Sequence, residues 1–310
     1  MEENQPISTP VSVLPRWGAL FVLYFSDFQA VLERAERVVA AGGMVLLVDN
    51  TPEPQDLRSL PQGFFDYLHN KNEGGIAGAL NRGAEWGERK GLEWLLTMDQ
   101  DSSVELEWLE PLLKATAHVD QRCALLTPFH NTKTHPLPLI HNGEKEKIVP
   151  IRDAMSSGNL IRLSAWRAVG GFDERLFIDQ VDHDFSLRLL DSKWWIGLLP
   201  SAVMQHPLGN VTFHKLPWRK RQPVSNHSPL RRYTITRNRL FVVCRHALRH
   251  PRFALRELLH LWNETLCLLL FEKERKLKLQ MVFYGVRDFL LRRWGAPPKS
   301  VVEKAMPSKN

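Results

Sequence analysis

The chain has 310 residues, of which 44% are hydrophobic and 24% are charged, and it contains three cysteines. This composition is ordinary for a soluble globular protein, and three widely spaced cysteines argue against a disulfide framework. The polar, acidic start "MEENQPISTP" lacks the basic and apolar parts of a signal peptide, and no apolar run reaches the roughly 18 residues of a membrane span. We therefore expect a protein of the reducing cytoplasm.

The net charge of +7 hides a difference between the two parts of the chain. Residues 1–206 carry 19 Lys and Arg against 28 Asp and Glu, whereas residues 207–310 carry 22 against 6. An acidic part is suited to holding a cation, and a basic part is suited to phosphates or an anionic membrane surface. The two parts are therefore expected to face different partners.

The first 130 residues alternate apolar runs with segments of helical period. The apolar runs predict strands over residues 18–25, 43–50, 64–69, 92–101 and 123–129, and the periodic segments predict helices over 28–41, 75–89 and 106–117. Such alternation is typical of an α/β fold with a mostly parallel sheet flanked by helices. Ligands of these sheets bind beyond the carboxyl ends of the strands.

The remaining segments suggest how the chain is divided. Residues 1–14 read as a flexible tail, 15–212 as the main domain, and 213–310 as a basic extension of long helices. Residues 130–150 read as a long loop. Its three histidines, His130, His135 and His141, have a spacing that fits neither a helix nor a zinc knuckle.

Acidic residues follow two of the predicted strands. Asp49 ends the second, and Asp99 and Asp101 end the fourth in "LLTMDQDSS". If that strand continues through Gln100, both carboxylates point to one face, where like charges resist joint ionisation unless a cation lies between them. Mg²⁺ is commonly held by one or two carboxylates together with substrate phosphates. The alternative is a loop of solvated acids.

Two further segments add candidate site residues. "NEGGIAGALNRG" (72–83) places glycines at a turn into a helix, where the backbone can approach a ligand and the helix start favours an anion. In "GGFDERLFIDQVDHDFSLR" three acids, Asp179, Asp182 and Asp184, fall within six residues. Such crowding is costly unless the acids perform chemistry or meet cations. The alternatives are a simple helix start and a solvated acidic face paired with Arg188.

The order of these segments resembles the family 2 glycosyltransferases of GT-A fold, over about residues 15–295. The motifs in order are "VDN", "NEGGIAGALNRG", "MDQDS", "GNLIR…GGFDE…FIDQVDHDFSLR", "HPLGN" and "RRYTITRN". The "DQDS" and "IDQVDHDFSLR" forms are most similar to bacterial rhamnosyltransferases that use dTDP-L-rhamnose. Two departures concern the nucleotide pocket: Thr234 follows Tyr233 where a second aromatic is more frequent, and "YFSD" replaces an Asn-Pro.

The resemblance implies a role for each matching residue. Asp182 would be the catalytic base that deprotonates the acceptor hydroxyl, with Asp184 and Arg188 bracing its helix. Asp99 and Asp101 would bind Mg²⁺ or Mn²⁺, with Asp101 the preferred direct ligand, and His206 would meet the metal or a phosphate. The residues implied in binding the nucleotide-sugar are Asp49, Asn72, Gly75, Asn81, Asp99, Arg232, Tyr233 and Arg237. Among these, Asp49 would accept the N3–H that uracil and thymine share, and the arginines, with Asn238, would clamp the diphosphate.

The implied activity is inverting transfer of a sugar, L-rhamnose in the closest branch, to a saccharide acceptor of bacterial cell-surface polysaccharide or lipopolysaccharide. The acceptor is expected to be lipid-linked, so the enzyme would lie peripherally on the inner face of the cytoplasmic membrane. "LLHLWNETLCLLLF" (258–271), with its basic neighbours, is suited to an anionic membrane interface, and packing or a homodimer contact is the alternative. We expect no nucleic acid partner because the basic part carries no nucleic-acid motif.

Three other functions remain compatible with the residues. The first is a family 2 transferase that uses a UDP-sugar. The second is a metal-dependent phosphotransfer or nuclease enzyme, although phosphatases with an aspartyl nucleophile carry D-x-D after the first strand and not the fourth. The third is an inactive nucleotide-binding scaffold, which the joint presence of Asp99, Asp101 and Asp182 argues against.

Overall fold

The computed structural model describes residues 15–55, 64–132, 147–205, 211–216 and 219–306. Within these ranges the strands are β1 (Trp17–Leu23), β2 (Met44–Asp49), β3 (Asp66–His69), β4 (Trp94–Asp99), β5 (Cys123–Asn131), β6 (Val149–Ile151), β7 (Asn159–Arg162), β8 (Trp195–Gln205), β9 (Thr212–Leu216) and β10 (Arg219–Val224). The α-helices are α1 (Phe28–Ala40), α2 (Gly75–Arg89), α3 (Leu106–Ala115), α4 (Leu163–Ala168), α5 (Val181–Asp191), α6 (Pro229–His246), α7 (Pro251–Phe271), α8 (Arg275–Leu290) and α9 (Lys299–Ala305).

The strands of the described ranges form an eight-stranded sheet in the order β3-β2-β1-β4-β7-β5-β8-β6, and β9 pairs with β10 in a separate hairpin. The predicted mostly parallel sheet is confirmed, since β1, β2, β3 and β4 pair in parallel and so do β5 and β8. The sequence did not predict β7, which lies antiparallel between β4 and β5. Its four residues, "NLIR", are too short a run to reveal their pairing.

The strand order reverses around β1. The chain winds outward from β1 through β2 and β3 and then returns to the other side of β1 as β4. Leu23 at the end of β1 pairs with Asp49, and its neighbour Val22 pairs with Asp99. The crevice of a doubly wound sheet opens at such a reversal, beyond the carboxyl ends of the strands. The topology thus brings Asp49 and Asp99 to opposite sides of β1 at the ligand-binding edge.

The sheet is covered on both faces. One apolar cluster includes residues of α2, α4 and α5, and a second includes residues of α1 and α3. Nearly every residue of β1, β2 and β4 is buried, as expected for strands covered on both sides. This rigid three-layer core carries the loops at the carboxyl edge.

The C-terminal region begins differently from the expectation of helices past residue 213, because β9 and β10 form a hairpin before α6. Helix α6 then starts at Pro229, where the Ser228 hydroxyl accepts a hydrogen bond from the Arg231 amide at 3.3 Å. Helices α6, α8 and α9 share a small core built around Tyr233 and Met281. Among the residues that the structure describes, no helix is both long and apolar enough to cross a membrane.

Gly285 sets the close approach of α8 to α6. A Cβ atom at this position would lie 2.8 Å from the Tyr233 carbonyl oxygen and 2.9 Å from Thr236 Cβ. Because these are atoms of a packed helix and not of a flexible side chain, we expect Gly285→Ala to destabilise the protein by about 1–3 kcal/mol in thermal unfolding. The matched control is Gly87→Ala in α2, whose new Cβ would meet the movable end of Leu163 at 2.9 Å. Equal stability of the two variants would contradict this account of the helix contact.

Candidate active site

A cleft of about 290 Å³ opens beside the carboxyl end of β4. The loop before α5, the first turn of α5, and helices α6 and α7 form its other walls. Its ionisable lining side chains are Asp99, Asp179, Asp182, His183, His227, Arg231, Arg239 and Glu264. Two of the sequence-predicted site residues, Asp99 and Asp182, therefore meet in one cleft although 83 positions separate them in the chain.

The D-x-D segment forms a turn and does not continue the strand. β4 ends at Asp99, and the Ser102 amide donates to the Asp99 carbonyl at 3.2 Å. The Asp99 amide donates to Ser157 Oγ at 3.1 Å, and that hydroxyl in turn donates to Ser102 Oγ at 2.8 Å. The expectation that both carboxylates share one strand face therefore does not hold. The turn leaves Asp101 exposed and Asp99 in the cleft.

The electrostatics around Asp99 indicate a site that favours a cation. Burial and the negative charges of Asp101 and Asp182 raise the pKa of Asp99 to about 6, and Arg231 opposes this rise. Neighbouring carboxylate oxygens are the ligands that Mg²⁺ and Mn²⁺ prefer. The chemistry of this donor set, with three acids near one arginine, fits a divalent metal.

Asp182 lies in the first turn of α5, where one of its carboxylate oxygens accepts from the His183 amide at 2.9 Å. The next side chain, His183, has its Nδ1 atom 3.1 Å from Asp153 Oδ2. Although burial would lower the pKa of His183, the charge of Asp182 and the contact with Asp153 raise it to about 9. Asp182 thus faces the cleft beside an imidazolium that is fixed by a second acid.

Asp184 and Arg188 brace the helix, as the sequence led us to expect. The buried Asp184 carboxylate accepts from Arg188 Nε at 2.7 Å and from Arg245 Nη1 at 3.2 Å, and it lies 2.9 Å from His246 Nε2. Burial would favour the neutral acid, but the hydrogen bond to His246 and the charges of both arginines hold the pKa of Asp184 below its usual range. The acid joins α5 to α6.

Helix α6 supplies a cation that sequence reasoning missed. Arg231 lines the cleft, and its Nε donates to Asp179 Oδ1 at 3.1 Å. Asp179 also accepts from the Thr234 hydroxyl at 2.7 Å, so α6 holds the loop that precedes α5. Nothing local in "LRRYT" distinguishes Arg231 from Arg232. Only the orientation of the packed helix decides which arginine reaches the cleft.

The residues predicted to clamp the diphosphate occupy buried positions instead. Arg232 pairs with Glu264 at 3.1 Å and with Glu272, and the Tyr233 hydroxyl donates to Asp288 at 3.0 Å. Arg237 donates to the Gly295 carbonyl at 2.7 Å. None of Arg232, Tyr233 and Arg237 lines the cleft, and all three are almost fully buried. This geometry departs from the prediction because these polar groups stabilise the packing of α6 against α7 and α8.

Asn238, the fourth residue of that segment, holds the loop before α5. Its side-chain amide donates to the Leu176 carbonyl at 2.6 Å.

Asp49 is also fully buried. One carboxylate oxygen accepts from the Thr51 amide at 2.8 Å and from its hydroxyl at 2.6 Å, and the other accepts from the Tyr67 hydroxyl at 2.7 Å. Burial would raise the pKa, but these hydrogen bonds from Thr51 and Tyr67 hold the pKa of Asp49 below its usual range. Asp49 is therefore ionised and already hydrogen-bonded. Its contact with the pyrimidine base of a nucleotide stays a prediction.

The loop that precedes α5 covers the glycine-rich turn at the start of α2. The Ile76 amide at the start of α2 donates to the Phe177 carbonyl at 2.8 Å, and a Cβ at Gly75 would collide with that same carbonyl. Asn81 is buried and accepts from the Phe172 amide at 2.8 Å, while Asn72 bonds through its carbonyl to the Gly75 amide at 3.1 Å. The loop that precedes α5 thus occupies the position at the start of α2 where the sequence predicted an anion.

The predicted histidine ligand, His206, lies outside the described residues, as do His135 and His141. His130 is described, and its Nε2 lies 2.7 Å from the Ser157 carbonyl oxygen. A histidine that the sequence did not single out, His227, lines the cleft instead. Burial and the charges of Arg231 and Arg232 lower the pKa of His227 to about 4, so its imidazole is neutral.

Away from the cleft, Asp191, His246 and His250 place three possible metal-ligand atoms within 4.8 Å of one another. Asp191 is already paired with Arg249 at 3.2 Å and with His250 Nε2 at 3.1 Å. His246 is held by Asp184 through its other nitrogen. Since arginines surround this group, ion pairs account for it, and the carboxylates of the cleft fit a divalent cation better.

The fold and the cleft define a doubly wound α/β protein with a polar site at the strand-order reversal, an arrangement suited to a nucleotide-bearing ligand and a metal. The glycosyl transferase family 2 model matches residues 45–144. A dTDP-rhamnosyl transferase, RfbF of Shigella flexneri, is 31% identical over 179 residues, which are 54% of this chain and 59% of that protein. Over these residues the chain is similar to glycosyl transferase family 2, and its fold is GT-A-like.

The fold comparison rests on a solved structure. The crystal structure of GalNAc-T7 with UDP, GalNAc and Mn²⁺ matches with a TM-score of 0.51 and 14% identity, covering 73% of this chain and 48% of that chain. At this identity the match shows the shared fold alone. This chain's matches span about three-fifths of the curated relative and about half of the solved structure.

Proposed function

We propose that the chain is an inverting glycosyltransferase that moves L-rhamnose from dTDP-L-rhamnose to a saccharide acceptor of a bacterial cell-surface polysaccharide. The observation that carries the proposal is the joint presence of Asp99, Asp182 and Arg231 in one cleft of a GT-A fold. The similarity to a dTDP-rhamnosyl transferase supports rhamnose as the sugar. A UDP-sugar is the alternative donor.

Asp182 is the proposed catalytic base. An acceptor hydroxyl is a poor nucleophile at neutral pH, and a positioned carboxylate that takes its proton contributes roughly 10²–10⁴-fold to the rate. The oxygen of that hydroxyl then attacks the anomeric carbon in line with the bond to the diphosphate, which inverts the configuration. The His183 amide donates to Asp182 Oδ1 at 2.9 Å, and the protonated His183 imidazole, fixed by Asp153, places a positive charge near Asp182.

The departure of the diphosphate is assigned to the acids at the carboxyl end of β4 and to Arg231 of α6. Asp99 and Asp101 would hold Mg²⁺ or Mn²⁺, which neutralises negative charge on the leaving diphosphate. Arg231 lies in the same cleft and offers a guanidinium to phosphate oxygens. Because Arg231, Arg239 and Glu264 come from α6 and α7, the proposed catalytic domain (15–212) and basic C-terminal region (213–310) share the site.

Nucleotide binding tests the proposal against its rivals. We expect isothermal titration in Mn²⁺ to show binding of dTDP and UDP, with dTDP the tighter if the donor is dTDP-L-rhamnose, and little binding of ATP. Preference for ATP would favour a phosphotransfer enzyme. The control is Asp101→Asn, which should weaken dTDP binding in Mn²⁺ but not in chelator.

We further propose that α7 and its surroundings contact the inner face of the cytoplasmic membrane. Leu255, Leu259 and Trp262 project from α7 and are 60%, 58% and 71% exposed. Lys273 and Lys276 follow at the end of that helix and are exposed. An apolar helix face flanked by lysines is suited to an anionic lipid interface.

Vesicle binding is expected to depend on this face. The protein should co-sediment with anionic liposomes at low salt and be released at high salt, because salt screens the lysine and arginine charges. Leu259→Ser with Trp262→Ser should abolish most binding, whereas Leu106→Ser on α3, an exposed leucine on the opposite side of the sheet, should not. If the wild type ignores vesicles but the double variant converts a dimer to a monomer, the face is a homodimer contact.

A further inference from the structure

A second cavity, of about 470 Å³, lies where α6 joins α7 and is lined by Arg152, Arg249, His250, Arg252 and Arg256, with Asp153 on one wall. We call it the arginine pocket. It is separate from the catalytic cleft, and none of the roles given above uses its arginines. Four guanidinium groups around one cavity repel one another, so an anion in the cavity would be strongly favoured.

The ion pairs of the pocket do not balance its charge. Arg256 pairs with Asp153 at 3.1 Å and with Glu257 at 3.4 Å, and Arg249 pairs with Asp191 at 3.2 Å. Among the described residues, no carboxylate lies within ion-pair distance of Arg152 or Arg252. The polar contact of Arg152 in these ranges is with His250 Nδ1 at 3.4 Å. The guanidinium groups of Arg152 and Arg252 are thus available to a ligand. Arg252 lies in the first turn of α7, which contains no acidic residue.

The pocket lies between the catalytic cleft and the apolar face of α7. Asp153 forms the partition, since its Oδ2 atom is 3.1 Å from His183 on the cleft side and 3.1 Å from Arg256 on the pocket side. On α7, Arg252 is three residues from Leu255, and Arg256 is three residues from Leu259, so the arginines and the exposed leucines are neighbours on the helix. A ligand in the pocket would therefore lie next to both the cleft and the exposed leucines of α7.

We infer that the arginine pocket binds the diphosphate that joins the acceptor saccharide to its lipid. Planar guanidinium groups match phosphate oxygens in bidentate hydrogen bonds, and a cavity of this size accommodates two phosphates. The saccharide would then extend past Asp153 toward Asp182, and the lipid would continue along Leu255 and Leu259. The assignment to the acceptor rests on the proposed transferase function, whereas the binding of diphosphate does not.

Direct titration tests the site with inorganic diphosphate, inorganic phosphate and glycerol phosphate as probes. The titration is done in chelator, so that metal-dependent binding in the cleft is suppressed. We expect the wild type to bind diphosphate more tightly than either monophosphate, and Arg152→Ala with Arg252→Ala to weaken diphosphate binding by at least about tenfold. Lys273→Ala with Lys276→Ala removes the same charge from the same basic region outside the pocket and should leave binding unchanged. Asp101→Asn should also leave it unchanged, because that residue is assigned to the metal beside Asp99 and does not line the arginine pocket.

Two results would overturn the inference. If the wild type and the double arginine variant bind diphosphate with equal affinity, the pocket is not a diphosphate site. If the wild type binds glycerol phosphate as tightly as diphosphate, the ligand of the pocket is a phospholipid headgroup and not the diphosphate of the acceptor. Release of nucleoside diphosphate from the sugar donor in water, measured on the same variants, should be unchanged by the arginine substitutions. Failure of the transferase function would therefore appear in that assay, and failure of the pocket would appear in the titration.

Discussion

Asp182→Asn is expected to reduce turnover by about 10²–10⁴-fold while donor and metal binding stay near the wild-type level. The substitution keeps the size and shape of the side chain and removes its ability to take a proton from the acceptor. Turnover is measured at saturating donor, and binding of dTDP in Mn²⁺ is measured separately by titration. A loss of turnover without a loss of binding identifies a group that acts in the chemical step.

Two neighbouring acids serve as controls for Asp182. Asp179→Asn should have a much smaller effect on turnover, because Asp179 holds Arg231 and Thr234 and is not the group assigned to the acceptor. Asp184→Asn should instead lower the melting temperature, since its buried carboxylate joins Arg188, Arg245 and His246. An active Asp182→Asn enzyme beside an inactive but folded Asp184→Asn enzyme would mean that the base has been assigned to the wrong acid.

Removal of the metal is the second change expected to have a large effect. EDTA should abolish transfer and Mg²⁺ or Mn²⁺ should restore it, and Asp101→Asn should lose most activity. In electron paramagnetic resonance with dTDP present, the wild type should bind Mn²⁺ and Asp101→Asn should bind it weakly. Full transfer activity in chelator would contradict the assignment of Asp99 and Asp101.

The pH dependence of stability gives the metal site a readout independent of activity. The pKa of Asp99 in the folded protein, about 6, lies above the ordinary aspartate value of 3.8, so folding favours the protonated acid. The contribution of Asp99 to stability is therefore largest below pH 3.8 and is lost as the pH rises through about 6. At neutral pH, Asp101→Asn should leave the melting temperature of metal-free protein unchanged or raise it, because one of two repelling charges is removed. A clear fall in melting temperature would contradict this.

The elements with a strong local pattern were predictable. Helix α2 spans residues 75–89 as expected, because the apolar period runs without interruption from the glycine turn to Arg89. Strands β1, β2 and β4 were recognisable because strands covered on both faces read as continuous apolar runs. The short β7 pairs with β4 and β5, which lie far from it in the chain, so its local sequence does not encode the pairing. The hairpin of β9 and β10 was missed because "RKRQPV" of β10 lacks the apolar residues of a typical strand.

The site was predictable in part for the same reason. Asp99 and Asp182, which the sequence singled out because acids at strand and helix ends are costly without a function, lie in one cleft, and their roles stay predictions. Arg231 was missed because the choice between two adjacent arginines depends on how α6 packs. Arg237 and Tyr233 have the composition of a phosphate clamp, yet their buried partners on α8 and beyond it give them a structural role. The arginine pocket joins residues about 100 positions apart and has no local motif.

In the proposed function, the cleft releases a nucleoside diphosphate from a sugar donor with the help of Asp182 and a divalent metal. The most direct measurement incubates the protein with dTDP-L-rhamnose, with UDP-sugars and with ATP in Mg²⁺, and follows the slow release of nucleoside diphosphate by chromatography. We expect release of dTDP from dTDP-L-rhamnose that requires metal, and no release of ADP from ATP. Release from ATP alone, or no release from any sugar nucleotide by folded protein that binds dTDP, would contradict it.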